Sequence, residues 1–295
     1  MKPLVLADVL HPMDRALMNK CTMYNFIGTL HHKNEHGIHL MKKAGADIGV
    51  NVKAIGPNDW DIYCSDVLPA RTERTLYGPQ IDFRVLSQFK EKYPANFLSE
   101  WVCRLAKTFT PGINAVALPF PVDIDAFVPE SRTGAPVLYF KQVDYSFYKG
   151  VYSYFKNKFR NLQVFDYEKK YKESKYMKAV ANAPFAIWLG RHESQGFALQ
   201  ECLSAGCPIF VIDIRDMSEE VSRKGKRNWG EPGPFFPATA APYFDERCGI
   251  KCFPEKYKTE FDVFYANLGR YKPRDYVVEN LSVKPLLKLW GETLK

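Results

Sequence analysis

Two glutamates flank a glycine in the segment FAIWLGRHESQGFALQECLSAGCPIFVID, residues 185–213. Glu193 lies in a polar turn, and Gly196 begins the helix that follows. Seven residues separate Glu193 from Glu201, which lies within that helix. Because Gly196 has no side chain, a phosphate can approach the free amides of the first helical turn, where the helix dipole favours an anion. A carboxylate accepts hydrogen bonds from paired hydroxyls, so Glu193 suits a sugar and Glu201 suits a ribose diol. On spacing alone, the interpretation of Glu201 as a solvent-facing helix residue is favoured over a functional role.

Apolar strands and helices alternate around this segment, which predicts a doubly wound α/β domain. The ligand of such a domain binds at the carboxyl ends of the strands, where the loops after Phe140, Phe165 and Leu189 gather. The predicted elements are, in order, the strand PVLYFK, a helix over 150–159, the strand NLQVFDY, a helix over 173–182, the strand PFAIWLG, a helix over 197–205 and a strand over 208–213.

The first part of the chain predicts a second α/β domain with a mainly parallel sheet, because short apolar runs alternate with helical patterns such as residues 38–44. Between the two domains, residues 116–131 contain Pro119, Pro121 and Pro129 and cannot continue a helix or a central strand. The chain is therefore expected to cross between domains there. The predicted boundaries are 1–120 for the first domain, 121–131 for the crossing, 132–280 for the second domain and 281–295 for an amphipathic C-terminal helix.

Composition is typical of a folded globular protein. The 295 residues suffice for about two α/β domains, and hydrophobic residues make up 46% of the chain against 25% charged residues. No run approaches the ~20 apolar residues that span a bilayer, and acidic residues and a proline interrupt the N-terminal sequence before it could act as a signal core. We expect a cytoplasmic protein without a transmembrane segment, for which peripheral membrane contact stays open.

The charge distribution favours a phosphate-bearing ligand in the second half of the chain. Of the net charge of +8, residues 129–295 carry +7. A basic domain attracts phosphates generally, so nucleic acid is the alternative to a nucleotide. No zinc finger or single-strand-binding motif supports nucleic acid, which is therefore not an expected partner. A short basic run is interpreted as solvated loop residues, with an anionic ligand as the alternative: Arg223, Lys224, Lys226 and Arg227.

The residues that favour metal do not assemble into a convincing site. Seven cysteines without a CxxC pair predict reduced thiols, and Cys248 with Cys252 leaves a disulfide or metal pair as an alternative. His32 and His36 would share a helix face, but no carboxylate or cysteine completes a site with them or with the neighbouring His31 and His39. The paired aspartates Asp123 and Asp125 lie in the proline-rich crossing and are interpreted as structural.

The run HESQGFALQECLSAGCPIFV resembles the donor-site signature of retaining glycosyltransferases of the GT-B fold, the family 4-like or group 1 glycosyltransferases. In that signature, two glutamates separated by seven residues precede a small-Gly-x-Pro turn. The segment LPFPVDIDAFVPE resembles the interdomain segment of the family, although Phe120-Pro121 replaces its usual Asn-Gly. The resemblance covers residues ~116–213 well and the rest in outline. The matching positions of the donor signature are Glu193, Gly196, Phe197, Glu201, Ala205, Gly206 and Pro208.

The resemblance implies two facing Rossmann-like domains that transfer a sugar, with retention, from a UDP- or GDP-sugar to a glycan or other small hydroxyl acceptor. In FKQVDYSFYKG, Lys141 and Lys149 resemble the two cations that hold the donor diphosphate, although the family more often has Arg at the first position. Such cations make a metal unnecessary, and no cofactor is expected beyond the donor itself. Glu193 would orient the sugar and Glu201 would hold the ribose.

Further residues complete the predicted donor site. The loop Gly28-Thr29 would approach the donor from the first domain, and the others surround Glu193 in the sequence. Two rival interpretations remain: an inverting GT-B enzyme or sugar-nucleotide-processing enzyme, and a non-enzymatic nucleotide- or nucleic-acid-binding module. The further predicted donor-binding residues are Gly28, Thr29, Arg191, His192, Ser194, Gln195 and Phe197.

Overall fold

The chain divides into two compact units in a computed structural model that describes residues 32–44, 54–55, 60–63, 75–79, 94–141, 144–219 and 236–293. The first unit comprises Met1–Pro121 and Val283–Lys295, and the second comprises Val122–Ser282. The chain passes from one unit to the other at Pro121, inside the segment predicted to cross between domains, and returns after Ser282.

The described residues of the first unit form a parallel-rich sheet and three helices. The strands are β1 (Ala54–Ile55), β2 (Trp60–Tyr63), β3 (Thr75–Tyr77), β4 (Ala95–Asn96) and β5 (Ala115–Val116), and the helices are α1 (His32–Lys43), α2 (Glu100–Phe109) and the C-terminal α8 (Val283–Thr293). These strands are ordered β1-β2-β3-β4-β5 in the sheet. The pair β1–β2 is antiparallel and the other pairs are parallel.

Two buried polar side chains secure the end of this unit. The Asn96 amide donates to the carbonyl of Leu118 at 2.8 Å, while its oxygen accepts from the backbone amides of Leu98 and Leu118. On α8, the indole N–H of Trp290 donates to the carbonyl of Pro119 at 3.0 Å, and its ring packs 5.2 Å from Phe120. These bonds satisfy backbone groups that proline-rich chain cannot pair in a sheet.

The second unit contains an all-parallel sheet in the order β10-β9-β8-β6-β7. Together with the first sheet, it confirms the predicted α/β class with mainly parallel sheets. Its strands are β6 (Val137–Phe140), β7 (Gln163–Asp166), β8 (Ala186–Leu189), β9 (Ile209–Ile212) and β10 (Gly249–Cys252), and its helices are α3 (Tyr145–Lys158), α4 (Glu173–Asn182), α5 (Phe197–Ser204), α6 (Tyr257–Ala266) and α7 (Pro273–Asn280).

Helices cover both faces of this sheet, which explains why its central strands are continuous apolar runs. Strands β6, β8 and β9 are buried along their whole length. On one face, directly paired Tyr139 and Trp188 stack with ring centroids 3.9 Å apart and planes 5° apart, and α4, α5 and α7 pack there. On the other face, α3 and α6 contribute Phe155 and Phe261 to an aromatic core around Phe210.

Most predicted elements of this unit are confirmed, and the main difference lies at the start of α3. The helix begins at Tyr145 rather than residue 150, because the Asp144 carboxylate caps it by accepting from the amide of Phe147 at 2.9 Å. The cap also lets the helix run through Gly150, at the modest cost of a glycine inside a helix. The C-terminal amphipathic stretch forms two helices, α7 and α8, on either side of Leu281 and Ser282.

Gly249 tests how closely β10 approaches β9. Its φ is +141°, and a Cβ there would lie 2.1 Å from the carbonyl oxygen of Ile209. We expect Gly249→Ala to lower the free energy of unfolding by about 2–4 kcal/mol through this clash and strain. Gly291→Ala is the control, because no described atom lies within 4 Å of its Cβ, and we expect it to stabilise by about 0.5–1 kcal/mol. Urea unfolding followed by circular dichroism measures both, and equal stability of the two variants would contradict the packing.

Candidate functional site

The candidate site lies where the connections of the second sheet change direction. Strand β6 pairs directly with β8, whereas β7, which follows β6 in the sequence, lies on the far side of β6. The chain leaving β6 enters α3 on one face of the sheet, and the chain leaving β8 enters α5 on the other. Such a switch point opens a crevice at the carboxyl ends of the two strands, where α/β proteins bind ligands.

An ion pair bridges this switch point. Lys141 directly follows β6, and its Nζ lies 2.6 Å from Oε1 of Glu193 in the loop after β8. Only 11% of the Lys141 side chain and 14% of the Glu193 side chain are exposed. The ammonium also lies 4.5 Å from the ring centroid of Tyr167, which directly follows β7. The ends of three neighbouring strands therefore converge on one cation, and two of the three predicted catalytic residues come together.

Glu201 is buried on α5, with 5% of the residue exposed, which rules out the alternative of a solvent-facing residue. The carboxylate of Glu201 lies near the side chain of Tyr171. The pKa of Tyr171 is raised to about 12, mainly because the side chain is buried and further because the carboxylates of Glu201 and Glu193 are close. Burial likewise raises the pKa of Tyr139, which hydrogen-bonds to Tyr171 and also lies near Glu193. The two predicted carboxylates therefore lie around one tyrosine cluster. Tyr139, Tyr167 and Tyr171 were not predicted, although all three lie in or just after predicted strands.

The turn before α5 is held by its backbone and by buried amides. Gly196 has φ +82°, in the left-handed region that favours glycine, so that the chain turns directly into the helix. Gln195 Nε2 donates to Oε1 of Gln200 at 3.1 Å, and Gln200 Nε2 donates to the carbonyl of Gln195 at 3.0 Å. Gln195 was predicted to bind the donor, and its side chain is hydrogen-bonded to Gln200 of α5.

Asp213, directly after β9, positions the loop that carries Glu193. It was not among the predicted site residues. Its Oδ1 accepts from the amides of Ile214 at 3.0 Å and Ala240 at 2.6 Å, and its Oδ2 accepts from the Thr239 hydroxyl at 2.7 Å. The carbonyl of Thr239 in turn accepts from the Glu193 amide at 3.0 Å. Burial raises the pKa of Asp213 despite these hydrogen bonds.

The remaining predicted residues lie in several environments. Lys149 is exposed on α3, with its Nζ 4.7 Å from the ring centroid of Tyr145, so the structure does not group it with the ion pair. His192 is buried, while Arg191, Ser194 and Phe197 are half-buried near the turn. Within the described ranges, Nε of Arg191 and Nε1 of Trp188 are buried without a hydrogen-bond partner. The predicted residues outside the described ranges are Gly28, Thr29, His31, Arg223, Lys224, Lys226 and Arg227.

The alternatives involving cysteine do not match the structure. Cys248 and Cys252 are free, buried thiols rather than a disulfide, and burial raises the pKa of each to about 12. Burial therefore favours the protonated, uncharged form of both thiols. In the part of the chain that the structure describes, no three His, Cys, Asp or Glu residues are grouped to hold a metal ion. In the same part, no helix combines the length and apolar character needed to span a membrane.

Comparisons with known proteins find similarity at the level of structure. No protein-family model matches the sequence, and no curated protein has a similar sequence. One similar structure is a TarM mutant from S. aureus in complex with Fondaparinux, alpha-GlcNAc-glycerol and UDP, at 13% identity and a TM-score of 0.47, covering 68% of this chain and 44% of TarM. Another is sucrose-phosphate synthase from Thermosynechococcus elongatus, at 10% identity and a TM-score of 0.47, covering 78% of this chain and 66% of the synthase.

A third similar structure is the lipopolysaccharide outer core galactosyltransferase WaaB in its apo form, at 11% identity and a TM-score of 0.44, covering 75% of this chain and 67% of WaaB. The chain spans less than half the length of TarM and about two thirds of the length of sucrose-phosphate synthase. Because all three TM-scores and identities are low, the α/β fold rests on the two sheets described above.

The role of Asp213 is testable with two substitutions. Asp213→Ala leaves buried amides of Ile214 and Ala240 without an acceptor, so we expect it to lower the free energy of unfolding by about 2–4 kcal/mol. Asp213→Asn keeps an oxygen for both amides and should cost about 1 kcal/mol or less. Chemical denaturation measures both values. An alanine variant as stable as the asparagine variant would show that Asp213 does not hold this loop.

The raised pKa of Asp213 also predicts a pH dependence. Because the folded state binds this proton more tightly than the unfolded state does, stability falls as pH rises from the unfolded pKa through the raised folded pKa. Relative to Asp213→Asn, which cannot titrate there, the wild type should therefore gain stability as pH is lowered through this window. Urea unfolding of both proteins across a pH series measures the difference, and a difference that is flat or has the opposite slope would contradict the environment described.

Proposed function

We propose that this protein is a glycosyltransferase that takes a sugar from a nucleotide-diphosphate donor bound at the carboxyl ends of β6, β7 and β8. The observation that carries the proposal is the Lys141–Glu193 ion pair at the switch point, with 2.6 Å between Nζ and Oε1. It places a cation suited to a diphosphate beside a carboxylate suited to sugar hydroxyls. The resemblance of residues 192–211 to the GT-B donor signature supports the same assignment.

Lys141 would act on the leaving group. Transfer breaks the bond between the anomeric carbon and the β-phosphate oxygen, so negative charge grows on that oxygen as the sugar becomes oxocarbenium-like. A fixed ammonium and the helix amides after Gly196 stabilise this charge in the transition state. Lys149 would be the second cation, as the resemblance implies. On this proposal the reaction needs no metal and no cofactor besides the donor.

The ion pair also prepares Lys141 for the donor. Because only 11% of the Lys141 side chain is exposed, burial removes hydration from its ammonium, and Glu193 offsets that cost in the free protein. Lysine carries three N–H donors, so the diphosphate can bind the ammonium while Glu193 still holds it in place. Glu193 would accept from hydroxyls of the sugar, and Glu201, buried on α5, would accept from the ribose.

We propose the finer features of the reaction from the resemblance. These are a UDP- or GDP-sugar as donor, transfer of a hexosyl or pentosyl group, retention of anomeric configuration, and a glycan or small hydroxyl compound as acceptor. The acceptor would enter from the first unit, to which Gly28 and Thr29 belong in the predicted site. A cytoplasmic location accords with the free thiols of the described cysteines.

Three ligands separate the proposed roles: pyrophosphate, a nucleoside diphosphate and the nucleotide sugar. Binding of each ligand is measured by calorimetry for the uridine, guanosine and adenosine series, and hydrolysis of the donor is measured alongside.

The double variant Lys141→Gln/Glu193→Gln, a neutral pair of similar shape, should weaken binding of the nucleoside diphosphate about tenfold to a hundredfold. Glu201→Gln should weaken both nucleotides but not pyrophosphate, and Glu193→Gln should weaken only the nucleotide sugar and slow its hydrolysis.

Lys258→Gln is the matched control, because Lys258 is an exposed lysine on α6 in the same unit, and it should bind every ligand as the wild type does. Circular dichroism establishes that each variant is folded. A folded wild-type protein that binds no nucleotide sugar would overturn the proposal. Salt-sensitive binding of arbitrary oligonucleotides without preference for a nucleotide sugar would favour a non-enzymatic binding module instead.

A further inference from the structure

A second cavity opens at the opposite edge of the same sheet. It has a volume of about 460 Å³, within the range of small-molecule sites. Pro184 and Pro208 in its wall precede β8 and β9, so the cavity lies at the amino ends of the parallel strands. The candidate donor site lies at their carboxyl ends. The two sites are therefore separated by the length of the strands, and this cavity requires its own explanation.

Cations outnumber acids in the lining of the cavity. They are Arg132, Lys272 and Arg274, whereas Asp275 is the one acidic residue in the lining. Within the described ranges, none of the three cations lies in ion-pair distance of a carboxylate. By contrast, Arg215 pairs with Glu219 at 2.9 Å. The cavity therefore carries a net charge of +2 among its lining residues, which favours a multivalent anion.

The two guanidinium groups are fixed in place by neutral acceptors. Arg274 donates to the carbonyls of Phe127 at 2.8 Å, Ser204 at 2.7 Å and Ile124 at 3.1 Å. Arg132 donates to the carbonyl of Gly206 and has φ 54°, in the left-handed region that a residue with a side chain rarely adopts. Carbonyl groups orient the cations but do not neutralise them. Each guanidinium has five N–H groups, so donors remain for a ligand.

The remaining walls suit a small and compact ligand. Four prolines restrict the backbone around the opening, and Tyr271 and Leu268 add apolar surface. Rigid walls and pre-oriented cations reduce the ordering cost of binding. Phosphate groups concentrate two or more negative charges in a small volume and accept several hydrogen bonds at once, which suits a cavity with three cations in its lining. The four prolines of the lining are Pro129, Pro184, Pro208 and Pro273.

We propose that this cavity is a binding site for a small, multivalent phosphate-bearing anion, held by Arg132, Lys272 and Arg274. The site does not depend on the proposed glycosyltransferase activity. A bound anion would contact Arg274 and Arg132, whose guanidinium groups also donate to the carbonyls of Ser204 and Gly206 at the end of α5. Bound anion should therefore be detectable in the backbone there as well as at the cavity.

Pyrophosphate is the probe, and the double variant Lys141→Gln/Glu193→Gln is the background, because it weakens anion binding at the donor site. At constant ionic strength, calorimetry should show saturable binding, and adding Lys272→Glu should weaken it about tenfold or more. Lys272 is chosen because its side chain is exposed and, among the described residues, holds no structural hydrogen bond. Hydrogen exchange should show pyrophosphate-dependent protection in residues 129–132, 204–208 and 269–275.

Two further variants make the outcome decisive. Asp275→Asn removes the acid of the cavity and should tighten pyrophosphate binding severalfold. Lys258→Glu changes the net charge by as much as Lys272→Glu does, but at an exposed position outside the cavity lining, and it should leave binding unchanged. The proposal is overturned if the folded background protein does not bind pyrophosphate, if Lys272→Glu binds it equally well, or if Lys258→Glu weakens it as much. Loss of donor binding in the other experiments would leave this result unaffected, so the two proposals can fail separately.

Discussion

The direct pairing of β6 with β8 is the constraint on which the site depends. Since β7 lies on the outer side of β6, the chain must leave β6 and β8 towards opposite faces of the sheet. The loops after these strands consequently separate, and the first residues beyond the strands face a crevice instead of covering each other. Lys141 and Glu193 occupy these positions, so their contact follows from the order of the strands and not from any feature of either loop alone.

Buried polar groups then determine the shape of the crevice. The Glu193 loop is fixed at its backbone through Thr239 and Asp213, and the turn at Gly196 is fixed by the amides of Gln195 and Gln200. A buried polar group that loses its partner costs more than the bond contributes, so such networks favour one loop conformation strongly over others. The stacked rings of Tyr139 and Trp188 belong to the buried core of the same sheet.

The cations at the two ends of the strands of this sheet have different kinds of hydrogen-bond partner. At the carboxyl ends, Lys141 and Glu193 compensate each other, with 2.6 Å between Nζ and Oε1. At the amino ends, the acceptors that hold Arg132 and Arg274 are, among the described residues, backbone carbonyl groups. The first arrangement limits the cost of burying charge in the absence of a ligand. The second keeps a net positive potential in an open cavity. Helix α5 joins them, since its beginning lies in the candidate donor site and its end accepts hydrogen bonds from the second set of cations.

The sequence by itself determined the elements of the second unit from β6 to β9, because continuous apolar runs bounded by Pro and Gly predict buried strands and need only local periodicity to be recognised. Strand β10 and helix α6 were not predicted. Helix α4 was predicted with its observed ends, and the residues around Gly196 indicated an anion site. The start of α3 was misplaced, since the glycine at position 150 outweighed the cap that Asp144 provides.

Only the tertiary structure decided that Glu201 is buried, that Lys141 pairs with Glu193 while Lys149 does not, and that Tyr171 and Asp213 support the site. These facts depend on which strands are neighbours and on which face each helix packs. Residues from β6, β7, β8 and β9 meet across long separations in sequence, and no local pattern encodes such contacts. The chemistry of individual residues was therefore readable from the chain, whereas their grouping followed from the order of the strands.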